Sequence, residues 1–271
     1  MPKVKLSIDG REVQASEGTL VLQAAREAGI NIPSLCWHRK LTPTAACRLC
    51  LVKIEGTRGL VTSCSTTVRE GMKVIAFDEE LEETRRYILD YLLAEVRCGT
   101  DGTFRDEFEE LVVRYGLADP AQRRFPRLTS VRRPEVDASS PVLTFDASRC
   151  ILCFRCVKGC AEVQGKNVLS VVERGGRSVI AAGSGEWATS ECDGCGECIQ
   201  LCPTGAIVEK PHRSEISFAA GHQRVRTTCP YCGVGCQLDL LVQGGKVLRA
   251  DGAEEVWPND GRLCVKGRCL L

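Results

Sequence analysis

The chain has 271 residues, of which 26% are charged with a formal net charge of only +1, and 18 are cysteine. That length leaves room for two or three small domains, and the near-neutral balance gives no electrostatic footprint for nucleic acid. No apolar run approaches the roughly 20 residues that span a bilayer, and Met1-Pro2-Lys3-Val4-Lys5 runs into strand-like alternation rather than a signal peptide. A cytoplasmic setting without membrane or nucleic-acid partners is the expectation, and there clustered C-x2-C hooks point to metal rather than disulfides.

At the amino terminus Val4–Ile8 and Glu12–Ala15 alternate apolar and polar around Asp9-Gly10, a strong hairpin signal. Thr19 offers an N-cap to the helical run Leu20–Ala28, with Gly29 as its stop. A loop from Pro33 carries Cys36, Cys47 and Cys50, and the runs Leu51–Glu55, Leu60–Cys64 and Lys73–Phe77 complete a small mixed sheet. Together these predict a β-grasp ferredoxin-like domain over 1–78. Its cysteines read C-x10-C-x2-C-x13-C at Cys36, Cys47, Cys50 and Cys64, whereas plant-type ferredoxins have a shorter first gap. Structural zinc is the alternative use of four such thiolates.

Residues 79–141 read as a helical segment and a connector. A helix is predicted over 79–97 with Leu81, Ile88, Leu92 and Val96 on one face. Thr103 and Asp106 make a capping-box-like start to another helix, which Gly116 would end. Between Arg123 and Arg133 lie five arginines, among prolines and serines, which reads as a solvated linker rather than an anionic docking strip. Cys98 stands apart and reads as a packed thiol.

The segment 142–212 carries Cys150, Cys153, Cys156 and Cys160, then Cys192, Cys195, Cys198 and Cys202, with Pro203 closing the second run. Each half is C-x2-C-x2-C-x3-C, the spacing of a bacterial two-cluster ferredoxin. Three thiolates two residues apart hold three corners of a cubane, and the fourth corner comes from the other run. Cys202 is therefore expected with Cys150, Cys153 and Cys156, and Cys160 with Cys192, Cys195 and Cys198. Zinc knuckles, the alternative, usually pair two C-x2-C hooks instead. Val168–Val172 and Arg177–Ile180, separated by Glu173-Arg174-Gly175-Gly176, predict an inserted hairpin. The last segment, 223–271, holds Cys229, Cys232, Cys236 and Cys264 in C-x2-C-x3-C-x27-C, with a hairpin across Gly244-Gly245.

Two groups of flanking residues carry a resemblance. Ile32-Pro33 before Cys36, and Cys47-Arg48-Leu49-Cys50, resemble the amino-terminal [2Fe-2S] domain shared by the large iron–sulfur subunit of complex I, [FeFe] hydrogenases and soluble formate dehydrogenases. Thr228-Cys229-Pro230-Tyr231-Cys232-Gly233-Val234-Gly235-Cys236, with Gly261-Arg262-Leu263-Cys264-Val265-Lys266-Gly267-Arg268, resembles the [4Fe-4S] domain that opens the catalytic part of molybdopterin formate dehydrogenases. Nearly the whole chain thus resembles the iron–sulfur amino-terminal region of soluble NAD(P)-linked formate dehydrogenase alpha subunits. The resemblance implies an α+β chain: a β-grasp [2Fe-2S] domain, a two-[4Fe-4S] ferredoxin-like domain and a small [4Fe-4S] lobe of the molybdopterin oxidoreductase type. It implies one [2Fe-2S] and three [4Fe-4S] clusters, and it matches Lys266 to a lysine lying between cluster and pterin.

There are departures from the pattern. The resembling families follow the 79–97 helix with a histidine and three cysteines for a further [4Fe-4S] cluster. Here Val96 stands about where the histidine would be and only Cys98 remains, so no cluster is expected there. Phe154 occupies a slot where the related families tend to carry glycine. The sequence stops at Leu271, before any region that would bind molybdenum and pterin, so only the iron–sulfur front end is expected.

No constellation for substrate chemistry is visible. His38, His212 and His222 sit in loop-like contexts without an obvious carboxylate or nucleophile partner. No G-x-G-x-x-G unit follows a strand, so a nicotinamide or flavin site belongs to a partner. The expectation is a non-catalytic electron-relay subunit of a cytoplasmic NAD(P)-linked complex, of transhydrogenase or electron-bifurcating type. Its partners would be a flavin- and NAD(P)H-binding subunit of the complex I or hydrogenase type and, at the other end, ferredoxin, a second flavoprotein or a catalytic subunit. The alternative is the iron–sulfur subunit of a split molybdenum formate dehydrogenase, and a third reading is a zinc-bearing regulatory or assembly protein.

Overall fold

Alternation dictates the first two strands, β1 (Lys3–Ile8) and β2 (Arg11–Ser16), which pair antiparallel with Leu6 opposite Val13. The structure, a computed structural model, describes residues 2–98, 106–128, 136–183, 185–210 and 223–269. Leu6, Ile8, Val13 and Ala15 bury on one face of the pair. Its turn needs positive φ at both central residues, and Asp9 and Gly10 adopt 48° and 79°.

The helix α1 (Val21–Glu27) begins one residue later than expected, and no side chain caps it. Thr19 serves instead through its carbonyl, which accepts from the Val68 amide at 2.8 Å. The helix buries Val21, Leu22, Ala24 and Ala25 against Ile8, Val52 and Val74 of the sheet. With β3 (Leu51–Ile54), β4 (Val61–Thr62) and β5 (Lys73–Ile75), the sheet runs β2-β1-β5-β3-β4, with β1 and β5 parallel. This is the β-grasp arrangement that the sequence predicts.

Asp78 caps α2 (Glu79–Glu95), its Oδ1 accepting from the Leu81 amide at 2.9 Å. The inward face differs from the apolar face read in the sequence. The buried row is Leu81, Arg85, Leu89 and Leu93, while Ile88 and Leu92 are only half-buried. Arg85 stands at its centre because carbonyls beneath it need a donor that the sheet does not supply. Its guanidinium donates to the carbonyls of Leu49 at 3.1 Å, Leu51 at 2.8 Å and Ala76 at 2.7 Å, and pairs with Glu82.

In α3 (Glu107–Arg114), Asp106 is the cap, accepting from the Glu109 amide at 2.8 Å, and Gly116 at φ 70° follows the helix. Thr103 lies outside the described residues.

The chain packs as two units, residues 1–95 with 111–127 and residues 96–110 with 128–271. In the first, the start of the expected solvated connector is docked on α2. Phe125 meets Tyr87 and Tyr91 edge-on at 4.9 and 5.7 Å, and Asp90 accepts from the Arg124 amide at 2.6 Å. Arg132 and Arg133 lie outside the described residues.

In the second unit β6 (Leu143–Phe145) is followed by α4 (Arg155–Lys158), which runs into a π turn over Gly159–Val163. The inserted hairpin β7 (Leu169–Val172) and β8 (Val179–Ala182), then α5 (Glu197–Leu201), lead to β9 (Ile207–Glu209), which pairs antiparallel with β6. Leu143, Phe145, Leu169, Ile180, Trp187 and Ile207 belong to its core. Three antiparallel strands come last, β10 (Gln223–Thr228), β11 (Gln237–Gln243) and β12 (Lys246–Gly252), then α6 (Val265–Cys269). Gly244 and Gly245 turn β11 into β12 at φ 57° and 77°. Among the described residues no helix is long and apolar enough to cross a membrane.

Candidate metal centres

Cys36, Cys47, Cys50 and Cys64 are all buried in the first unit. Left-handed backbone at Ala45 (φ 53°) and Arg48 (φ 59°) tightens the loop around Cys47 and Cys50. Arg85 clamps the loop at the Leu49 carbonyl, and Ser63 holds the Cys50 carbonyl through its hydroxyl at 2.7 Å and its amide at 3.0 Å. The Leu35 amide donates to Cys47 Sγ at 3.3 Å. The four thiols meet: hydrogen bonds from Cys47 and Cys64 hold the Cys36 thiol down to about 2, and one from Cys64 lowers Cys50 to about 7. Donating to Cys36 pushes the Cys47 and Cys64 thiols up, and burial adds to it. A set that already favours thiolate at one corner suits a metal ligand shell.

In the second unit, one cavity is lined by Cys150, Cys153 and Cys156 together with Cys202. Another is lined by Cys160 together with Cys192, Cys195 and Cys198. The crossing depends on α4 and α5 lying close, which glycine permits: a Cβ on Gly159 would stand 2.2 Å from Leu201 Cδ1. The π turn that follows carries Cys160, and α5 ends at Leu201, just before Cys202. Amides point at sulfur in both sets, from Leu152 to Cys150 Sγ at 3.4 Å and from Val168 to Cys160 Sγ at 3.3 Å. Burial pushes up the Cys153, Cys156 and Cys198 thiols, and Cys195 to about 11. Thiols that burial keeps protonated become ligands when a cation compensates their charge, so the donor sets fit clusters.

The two cavities differ in lining. Around the first stand Phe145, Ile151, Phe154, Ile180 and Ile207. Around the second stand Val168, Leu169 and Trp187 together with the charged Lys166, Asp193 and Glu197, with Lys166 and Asp193 paired at 3.0 Å. The loops themselves match in backbone: Leu152 and Phe154 have φ 53° and 66°, and Gly194 and Gly196 have 70° and 73°. The slot noted at Phe154 is thus a left-handed one, filled here by a bulky side chain.

The third set lies in the final lobe, where the Cys229 amide donates to the Cys236 carbonyl at 2.7 Å. Burial and the neighbouring Cys229, Cys232 and Cys264 thiols push the Cys236 thiol up, which brings all four within electrostatic reach. Asn259 returns the distant Cys264 to the others. It accepts from the Gln237 amide at 2.7 Å and donates to the carbonyls of Gln237 at 3.1 Å and Arg262 at 2.9 Å. Lys266 is exposed on α6.

Among the described residues no three His, Cys, Asp or Glu side chains close on a single ion. Cys98 is half-buried, and burial pushes the Cys269 thiol up to about 11. His38 is half-buried and accepts from the Lys40 amide at 3.4 Å, while His212 and His222 lie outside the described residues.

Arg155 and its partners escaped sequence reasoning. Arg155, between two ligand-type cysteines, is buried and forks onto Glu107 at 2.6 and 2.9 Å. Arg149 reaches Asp106 at 3.5 Å, the Phe108 amide donates to the Pro203 carbonyl at 2.9 Å, and burial pushes Asp106 up to about 6. The only hint was an arginine where a tight cysteine loop has no evident use for one.

Comparison with known proteins finds an iron–sulfur or ferredoxin-like domain over each of three segments of the chain. Residues 1–76 match the 2Fe-2S iron-sulfur cluster binding domain, residues 140–208 the ferredoxin-like domain of NADH-quinone oxidoreductase subunit 3, and residues 222–271 the molybdopterin oxidoreductase Fe4S4 domain. The chain belongs to the iron–sulfur family built from these domains. It is 37% identical over 268 residues, 98% of its length, to an NADH-quinone oxidoreductase subunit of Rhizobium meliloti. It is 35% identical over 271 residues to the alpha subunit of the NADPH-Fe(3+) oxidoreductase of Geobacter sulfurreducens. Either match takes in 31% of the relative, so the chain spans about a third of the length of these curated proteins. A chain from the NAD+-reducing [NiFe]-hydrogenase in the H2-reduced state superimposes with a TM-score of 0.69 at 30% identity, covering 80% of this chain and 90% of that one.

Proposed function

We propose that this family member is an electron-relay component of a cytoplasmic NAD(P)-linked oxidoreductase. Cys36, Cys47, Cys50 and Cys64 hold a [2Fe-2S] cluster. Cys150, Cys153, Cys156 and Cys202 hold one [4Fe-4S] cluster, Cys160, Cys192, Cys195 and Cys198 a second, and Cys229, Cys232, Cys236 and Cys264 a third. Such clusters supply one-electron carriage, and the chain's own residues hold them apart, shield them from water and aim amides at their sulfurs. The observation that carries the reading is the pair of cavities, each lined by three cysteines of one run and the fourth of the other.

At one end the partner is a flavin- and NAD(P)H-binding subunit, its nucleotide in line with the names of the relatives and its flavin required to turn hydride into single electrons. At the other it is ferredoxin, a second flavoprotein or a catalytic subunit, in a transhydrogenase or electron-bifurcating assembly. Lys266 follows Cys264 by two residues on α6 and assists the approach of an anionic cofactor or acidic surface. Anaerobically purified protein should be brown and contain about 14 irons per chain. Stoichiometric zinc with little iron would overturn the reading. Alone, the chain should not oxidise NADH, NADPH or formate with artificial acceptors, and activity should need an added flavin-bearing partner.

A second reading, the iron–sulfur part of a molybdenum formate dehydrogenase, is favoured by the match of residues 222–271 to the molybdopterin oxidoreductase domain. Molybdenum in the purified complex would select it.

A further inference from the structure

The short helix α6 lies against the second ferredoxin loop. Arg268 Cδ stands 2.0 Å from the place a Cβ on Gly196 would take, and Val265 Cγ2 stands 3.5 Å from that on Gly194. Val265 and Arg268, three apart on one helical face, therefore rest on bare backbone where the first loop carries Leu152 and Phe154. On its other side α6 meets the thiols of its own lobe: a Cβ on Gly267 would be 3.4 Å from Cys229 Sγ, and Cys264 immediately precedes the helix. One helix thus separates two cluster sites.

Arg268 is the polar element of this junction. Its side chain is fully buried. It donates to the Cys195 carbonyl at 3.3 Å, the Ala250 carbonyl at 3.5 Å and Gln200 Oε1 at 2.8 Å. Gln200 in turn exchanges two hydrogen bonds with the Gly252 backbone, both at 3.2 Å. The carboxylate nearest to Arg268 is Asp251 at 3.7 Å, and Arg249 holds that group more closely at 2.7 Å. Arg249 also faces Glu209 at 3.9 Å. Two guanidiniums and two carboxylates balance, so losing the Arg268 charge leaves these four side chains with an excess negative charge.

We propose that Arg268 is a positioning residue shared by two cluster sites. It fastens the C-terminal lobe to the second ferredoxin loop, and its charge sets the potential of the group held by Cys160, Cys192, Cys195 and Cys198. This rests on the cluster assignment above. Reduction adds one negative charge to that group, and a buried cation nearby stabilises the reduced form more than it would in water.

The test uses the full chain, purified anaerobically, with iron analysis and a redox titration followed by electron paramagnetic resonance. Arg268→Gln should keep wild-type iron and shift one [4Fe-4S] signal to lower potential. The expected size is about tenfold in the reduction equilibrium, about 59 mV for one electron. Asp251→Asn removes the opposing charge and should move the same signal upward, which keeps the test open should Arg268→Gln lose iron. The proposal is overturned if iron is retained and no signal moves, or if both variants shift it the same way, as loosened packing would. Absence of iron from the wild-type protein would instead overturn the cluster assignment.

Discussion

Leu152 and Phe154 adopt a left-handed backbone that costs an L-residue roughly 1–2 kcal/mol each. Gly194 and Gly196 take the matching positions of the other loop without that cost. The first loop therefore keeps two strained side chains, and Phe154 lines the cavity of Cys150, Cys153, Cys156 and Cys202. Cover against water is the physical gain, since an apolar shell limits access to a cluster. Phe154→Gly relieves the strain but gives up the ring's packing and adds freedom to the unfolded chain, so it should cost about 1–3 kcal/mol. Loss of one [4Fe-4S] cluster in air should accelerate several-fold, read from iron release against time. Unchanged release kinetics would show that the ring does not shield the site. The opposite experiment is Gly196→Ala, which would drive a methyl group into Arg268.

Helix α2 illustrates how much of an element its ends and its inner face decide. Asp78 both caps the helix and pairs with Lys53 at 2.7 Å. Asp78→Ala should cost about 1 kcal/mol in denaturant unfolding at pH 7, the usual loss of an N-cap. The Lys53 hydrogen bond, with the Leu81 amide, holds the Asp78 carboxyl below the usual range. Its contribution is therefore complete above the ordinary carboxylate pKa of about 3.9 and is lost as pH falls through the lower folded value. The gap between wild type and variant should narrow in that acid range; a gap that stays constant throughout it would contradict the assignment. The inner face escaped the hydrophobic pattern because Arg85 is charged and yet faces inward. Periodicity finds apolar stripes, whereas Arg85 is placed by the carbonyls of Leu49, Leu51 and Ala76, which come from other parts of the chain.

At the scale of the molecule, the final lobe has little apolar material of its own, with Cys229, Leu238 and Leu263 at its centre. Its thiolate set should then act as a staple as well as a carrier. Stripping iron from the anaerobic protein should expose β10–β12 to hydrogen exchange before the five-stranded sheet of the β-grasp domain. That sheet packs Leu6, Ile8, Val52 and Val74 around α1 and should persist. Equal protection in both regions after iron removal would mean that the lobe folds without its ligands.

Cysteine spacing by itself pointed to iron–sulfur chemistry in the segment 142–212, because ligands two or three residues apart share one tight loop whatever surrounds it, while in the first and last sets the flanking residues carried the reading. The hairpins at Asp9-Gly10 and Gly244-Gly245 were legible for the same reason, since the turn demands residues that tolerate positive φ. Only the tertiary structure decided what stands around those loops. Arg85, Arg155, Asn259 and Arg268 read as ordinary polar residues in the sequence, yet each closes a loop or joins segments far apart in the chain. A long side chain with several donors takes the partners that folding brings within its reach, and local sequence holds no record of them.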